Sequence, residues 1–149
     1  DPSKIENIEK INSTIKSRDF WMPFACTILD KWADIYLNLD GPIDDYKYMT
    51  LCAESIEGYR WKIKAGTHPQ DGTCRPQILT RKDNPNYYDL IEKFGEKTGI
   101  YSLMNTSLNI HGMPIASSLQ DAINVLTKGN LDGLLVSNKL MIARKRADK

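Results

Sequence analysis

No stretch of the sequence reaches the roughly 18 consecutive apolar residues that a membrane-crossing helix needs. Charge of one sign is not in excess either: 20 Lys and Arg stand against 19 Asp and Glu, a net charge of +1. That balance argues against a generally basic nucleic-acid binder but leaves room for a local cationic pocket. Histidine is scarce, with only His68 and His111, too few for a metal centre built on several histidines. Cysteine is scarce too. Cys26, Cys52 and Cys74 are odd in number and widely spaced, without a C-x-x-C pair, so neither a zinc knuckle nor a redox dithiol is indicated. A reducing compartment is the simplest setting for such thiols, and the chain opens without a signal-peptide pattern, so a cytoplasmic protein is expected. The phosphate loop G-x-x-x-x-G-K-[ST], the dinucleotide fingerprint G-x-G-x-x-G and the hydrolase elbow G-x-S-x-G are all missing.

What is present suffices for a packed core. The 149 residues fit one domain, and the 41% hydrophobic content, with 3 Trp and 7 Tyr, excludes a disordered chain. The opening Asp1-Pro2-Ser3 lacks an initiator Met, so a piece of a longer chain is expected.

Periodicity predicts a helix over 4–16, with Ile5, Ile8, Ile11 and Ile15 on one face and a capping-box spacing from Ser3 to Glu6. A second helix is expected around 29–39, with Trp32, Ile35, Tyr36 and Leu39 inward. Residues 46–53 and 58–64 read as strands from their β-branched and aromatic content, and 77–81 as a short one. Asn84 and Pro85 open a helix whose apolar face is Tyr87, Leu90, Ile91 and Phe94, closed by Gly99. Residues 100–104 follow as a buried strand. Ser118 caps a last helix, with Leu119, Ala122, Ile123 and Leu126 inward and Gly129 as its C-cap, before strands at 131–137 and 139–143. This pattern predicts an α/β (α+β) fold with a mixed parallel and antiparallel sheet.

Three polar pairs share i, i+2 spacing, which in extended chain aims both side chains the same way. Lys16 and Arg18 make a cationic pair suited to phosphate or carboxylate oxygens, or else a solvated helix end whose cations favour the negative dipole terminus. Thr73 and Arg75 lie in the loop 65–76, where Asp71-Gly72 allows either an anion nest or an ordinary turn. His68 in that loop is either a hydrogen-bonding or proton-transfer group or a structural residue. Ser107 and Asn109 follow a strand, where they can meet a ligand or make local Ser and Asx turns, with His111 just beyond. Cys74 beside Arg75 can have a depressed pKa, although nothing places a base near it. The terminal Arg144, Lys145, Arg146 and Lys149 read as a solvated tail.

These residues carry a resemblance. Asp71-Gly72-Thr73-Cys74-Arg75-Pro76-Gln77, Asn84-Pro85, Phe94, the run Asn105-Thr106-Ser107-Leu108-Asn109-Ile110-His111-Gly112-Met113-Pro114-Ile115, Asp121-Ala122 and Leu131-Asp132 resemble the carboxy-terminal domain of the O-carbamoyltransferases. That family includes the nodulation-factor and antibiotic carbamoyltransferases. Residues 15–25 resemble its early motif, so the match runs in order along nearly the whole chain.

The resemblance implies a YrdC-like twisted mixed sheet flanked by helices. It implies carbamoyl phosphate and ATP as substrates, with Mg²⁺ accompanying the nucleotide, and carbamoyl adenylate as product. It also implies an amino-terminal Kae1-like domain in the same chain that passes the carbamoyl group to an acceptor hydroxyl. Lys16 and Arg18 match the K-x-R signature, Ser107 and Asn109 match S-x-N, and Arg75 matches the basic residue of D-G-T-x-R. On this reading Lys16, Arg18 and Arg75 are catalytic, while His68, Thr73, Ser107, Asn109 and His111 bind substrate, all in one pocket. Two departures stand out: His68 lies one residue further from Asp71 than the usual H-x-D-G-T spacing, and Met22 replaces a commonly basic residue. The alternatives are a non-catalytic module for nucleotide or RNA, with the +1 charge disfavouring RNA, and a threonylcarbamoyl-adenylate synthase.

Overall fold

β1, Ala25–Leu29, is buried at all five positions, so both of its faces must be covered. It pairs in parallel with β5 (Gln77–Leu79), Thr27 opposite Gln77, and antiparallel with β6 (Ser102–Asn105), Cys26 opposite Met104. The resulting sheet, ordered β5-β1-β6, is the expected mixed one. Because side chains alternate along a strand, Cys26 and Ile28 point one way, Thr27 and Leu29 the other. The first face, with Ile78, packs on Ala33 and Tyr36 of α2 (Asp30–Tyr36) and on Ile63. On the second, Leu29 and Leu79 meet Tyr88 and Ile91 of α3 (Pro85–Thr98). An antiparallel sheet, β2 (Leu37–Asn38), β3 (Ala53–Ser55) and β4 (Thr73–Cys74), adjoins the first core.

The structure is a computed structural model that describes residues 1–19, 22–137 and, as backbone, 140–143. The described residues fall into two compact units, one drawn from 1–8 and 20–106, the other from 9–19 and 107–149. The second unit holds most of α1 (Glu6–Thr14), α4 (Leu119–Lys128) and the hairpin of β7 (Gly133–Val136) with β8 (Leu140–Ala143). Phe20 and Trp21 of the early motif and the expected basic tail from Arg144 to Lys149 lie outside the described residues. Among the described residues, no helix is long and apolar enough to cross a membrane.

Several local expectations need correction. The segment 58–64 is not a strand: Arg60–Gly66 is a 3-10 helix broken at Ile63. Its amides bond within the chain's own turns, Arg60 N–H to Ile56 O at 2.8 Å and Lys62 N–H to Tyr59 O at 2.9 Å, so no neighbouring strand is needed. Of 46–53, only Ala53 enters a strand. Of the predicted inward face of α3, Ile91 is buried and Tyr87 packs half-buried on the same cluster, but Leu90 is exposed, and Tyr88 and Gly95 are buried as well. Tyr88 Oη donates to Asp30 Oδ1 at 3.1 Å, which gives this buried hydroxyl a partner. On α4 the buried residues are Val125 and Leu126, while Leu119 is exposed.

Gly129 is the C-cap, as expected, its N–H donating to Val125 O, but it is not left-handed; its φ is −88°, and Asn130 takes the positive φ, 52°. Glycine fits here because a Cβ would lie 2.4 Å from Ile15 Cγ2 and 2.5 Å from Val125 O. Ser3 does not form the predicted capping box, since its N–H and hydroxyl both donate to Asp1 Oδ1. α1 itself buries none of its residues; Ile15, just beyond it, is buried.

Candidate functional site

Lys16 lies just past the end of α1 and is only 4% exposed. Its ammonium donates to Ser107 Oγ at 2.9 Å and to Asn109 Oδ1. Ser107 Oγ in turn donates to Asn109 Oδ1 at 2.5 Å, and Asn109 Nδ2 donates to Met113 O at 2.6 Å. The loop carrying these groups is pinned by its backbone. His111 N–H donates to Ile15 O at 2.8 Å, Met113 N–H to Ile110 O at 3.0 Å and Ala116 N–H to Leu108 O at 3.0 Å. Ser107 and Asn109 therefore converge with Lys16. They do so through a bend at 108–109 rather than an extended run.

The electrostatics of this cluster are incomplete. Among the described residues no carboxylate pairs with Lys16; its acceptors are neutral oxygens. Burial, followed by the positive charge of Arg18, holds the Lys16 ammonium below its usual pKa of 10.5. A cation withdrawn from water without a counter-charge is costly, and an arriving anion relieves that cost. Arg18 is half-buried, its backbone N–H 3.4 Å from Asn12 Oδ1. His111 contributes its backbone; its side chain is exposed. Thr106 Oγ1, inside the same motif, is buried without a hydrogen-bond partner among the described residues. The sequence reading did not single it out, and only its place between Asn105 and Ser107 pointed to it.

The other unit carries the loop 68–75. Asp71 Oδ1 accepts from Thr73 N–H and Thr73 Oγ1, both at 2.8 Å, and these bonds hold its carboxyl below the usual range. The Thr73 hydroxyl is thus engaged locally. His68 N–H donates to Thr73 O at 2.7 Å and Gly72 N–H to His68 O at 2.9 Å, closing the loop. His68 Nδ1 lies 3.4 Å from Asp71 Oδ1 and accepts from Gln70 N–H at 3.4 Å. Arg75 follows β4, exposed, and no hydrogen bond or ion pair engages its side chain among the described residues. Gln77, two residues on, accepts through Oε1 from Thr27 Oγ1 at 2.9 Å and Asn105 Nδ2 at 2.7 Å, tying three strands together.

Cys74 overturns one expectation. Its thiol is pushed well up rather than down, first by the hydrogen bond with Cys26 and then by burial. A protonated, buried thiol is inert. Cys52 is exposed. Alkylation of the native chain with iodoacetamide at neutral pH should therefore label Cys52 and spare Cys26 and Cys74, as read by peptide mass spectrometry. Modification of Cys74 at a comparable rate would count against this packing. A cavity of about 290 Å³ in the same unit is lined by Asn38, Asp40, Tyr46, Cys52, Glu54 and Thr73. Its two carboxylates repel a polyanion, so anion chemistry does not belong there.

Comparison with known proteins agrees with the motifs. The family model described as carbamoyltransferase C-terminus matches residues 1–144. Nodulation protein NolO of Bradyrhizobium diazoefficiens is 36% identical over 146 residues, covering 98% of this chain and 26% of that protein. Nodulation protein NolNO of Sinorhizobium fredii is 33% identical, covering 97% of this chain and 21% of that protein. The 3'-hydroxymethylcephem-O-carbamoyltransferase of Streptomyces clavuligerus is 26% identical over 85% of this chain and 23% of its own length. The chain thus spans about a quarter of the length of the curated relatives it matches. A family match over nearly all residues, on a mixed α/β fold and with the Lys16, Ser107 and Asn109 motifs gathered at one place, has one consequence: the chain belongs to the family of carbamoyltransferase C-terminal domains.

Proposed function

We propose that this chain is the part of an O-carbamoyltransferase that makes carbamoyl adenylate from carbamoyl phosphate and ATP, on a YrdC-like fold. The observation that carries this reading is the nearly buried Lys16 ammonium, held by Ser107 and Asn109 without a carboxylate partner among the described residues. Both substrates are polyanions. Lys16, Arg18 and Arg75 offset their charge, and the Ser107 and Asn109 side chains orient phosphoryl or carbamate oxygens. Water takes the phosphoryl group of carbamoyl phosphate: the bond from phosphorus to the carbamate oxygen breaks as the new P–O bond forms, leaving inorganic phosphate, a proton and carbamate. The carbamate oxygen, already an anion, attacks the α-phosphorus of ATP, and the bond to pyrophosphate breaks as the new P–O bond forms. Positioning then suffices without a general base. Mg²⁺ bound to the nucleotide phosphates would supply neutralisation of part of their charge. Transfer to the acceptor hydroxyl falls to a Kae1-like domain of a longer chain, in keeping with relatives about four times the length of this one.

The test is exchange of labelled pyrophosphate into ATP by the 149-residue chain with Mg²⁺. Exchange that depends on carbamoyl phosphate is expected; its absence, with carbamoyl phosphate bound, would place adenylation elsewhere. No carbamoylated alcohol should form, and its detection by mass spectrometry would overturn the division of labour. Arg75→Ala should weaken carbamoyl phosphate binding by roughly 10-fold or more, because charge-assisted hydrogen bonds contribute about 1.5–3 kcal/mol. Lys97→Ala, at an exposed position in the last turn of α3, should change it little. Equal losses in calorimetry would count against the assignment of Arg75.

A further inference from the structure

The geometry points to Arg60 as a positioning residue that fixes the shape of the loop carrying Arg75. Its role in binding rests on the function proposed above. Arg60 opens the 3-10 helix Arg60–Gly66. Its Nε donates to Ser55 Oγ at 2.7 Å and its Nη2 to Ser55 O at 3.2 Å. Ser55, only 3% exposed, passes the interaction on: its hydroxyl donates to Gly72 O at 2.5 Å and its N–H to the same oxygen at 3.1 Å. One carbonyl of the Asp71–Arg75 loop is therefore gripped twice by a serine that a guanidinium holds in place. The fit at Gly72 is close. Its φ is +71°, and a Cβ there would lie 2.6 Å from Arg60 Cζ, so the guanidinium fills the space a side chain would need. β4 is also paired to β3 through Ala53 opposite Cys74. Arg75, the next residue, leaves this anchored strand and enters the buried Pro76. The direction in which the chain presents Arg75 thus depends on the Arg60–Ser55–Gly72 relay.

A guanidinium is needed because its planar fork reaches a hydroxyl and a carbonyl of one residue together; a lysine supplies the charge but not the fork. The test takes the 149-residue chain with Arg60→Ala, Arg60→Lys and Gly72→Ala, and has two arms. Hydrogen exchange without ligand should accelerate about 10-fold or more at the Ser55, His68 and Gly72 amides in all three variants, with β1 amides unchanged. Calorimetry with carbamoyl phosphate should show about 10-fold weaker binding for Arg60→Ala and Arg60→Lys alike. Unchanged exchange at the loop overturns the inference. So does full affinity in Arg60→Lys, which would make Arg60 a simple source of charge, or full affinity in a variant whose loop has loosened. Failure of the unsubstituted chain to bind carbamoyl phosphate strikes the proposed function instead. In that case the exchange arm alone decides whether Arg60 positions the loop.

Discussion

Lys16→Met should lower affinity for carbamoyl phosphate by roughly 10–100-fold and leave the melting temperature unchanged or higher. The first part follows from the loss of a charge-assisted contact worth about 1.5–3 kcal/mol. The second follows from what Lys16 does to the chain without ligand. Its ammonium is nearly out of water, its acceptors are neutral, and Arg18 repels it. Methionine has a similar length and no charge to desolvate, and Ser107 and Asn109 keep their own mutual hydrogen bond when it is substituted. The pH dependence gives a second signature. The folded-state pKa of Lys16 is below its unfolded value of 10.5. Between the two, the unfolded chain binds more protons, so stability rises with pH through that window. Below the window the charged group costs stability throughout. Binding runs the opposite way: anion affinity should hold at lower pH and fall as pH rises through the folded pKa, and Lys16→Met should abolish that fall. A melting temperature that drops sharply in Lys16→Met, or an affinity that survives it, would remove Lys16 from the site.

Legibility in the sequence followed the range of the interactions. Local signals held. Asn84 accepts from Tyr87 N–H at 3.1 Å with Pro85 behind it, and Ser118 and Asp121 cap each other's backbone. These bonds span three residues, so composition at fixed offsets reveals them. Helix faces were less legible. Tyr87 and Tyr88 are adjacent and both pack on the core, and only a contact with Asp30, 58 residues away from Tyr88, marks Tyr88 as the more deeply buried. The 3-10 helix Arg60–Gly66 was misread because β-branched and aromatic content records suitability for burial, not the pairing of the backbone. At the candidate site, the i, i+2 spacing pointed to Lys16, Ser107 and Asn109, but Lys16 and Ser107 are 91 residues apart and spacing alone could not join them. The family motifs did that. Arg60 and Ser55 had no signal, because an arginine beginning a turn and a serine in a short strand are ordinary choices until Gly72 is seen against both.

Gly95→Ala sets local preference against packing, and packing should win. Inside a helix, alanine is favoured over glycine by about 1 kcal/mol, and Gly95 sits within α3. A Cβ at 95 would lie 2.2 Å from Tyr101 Cδ1, 2.4 Å from Cε1 and 2.5 Å from Cγ. The ring has little room to retreat. It stacks on Trp32, centroids 4.0 Å apart and planes within 6°. The Tyr101 backbone is held on both sides, its N–H donating to Tyr36 Oη at 3.1 Å and its carbonyl accepting from Leu29 N–H at 3.3 Å. Overpacking of this kind costs about 1–3 kcal/mol or more, and disturbing the aromatic stack adds about 0.5–1.5 kcal/mol. Against the gain in propensity, a net loss of about 2 kcal/mol is expected, or roughly 6–8 °C in melting temperature for a chain of this size. Tyr101→Ala alone should also destabilise, but Gly95→Ala added to it should cost nothing further and recover part of the helix preference, because the obstructing ring is gone. Calorimetric melting of the two single variants and the double variant decides the matter. A melting temperature that rises in Gly95→Ala alone would mean that the close approach of α3 to Tyr101 does not determine the glycine.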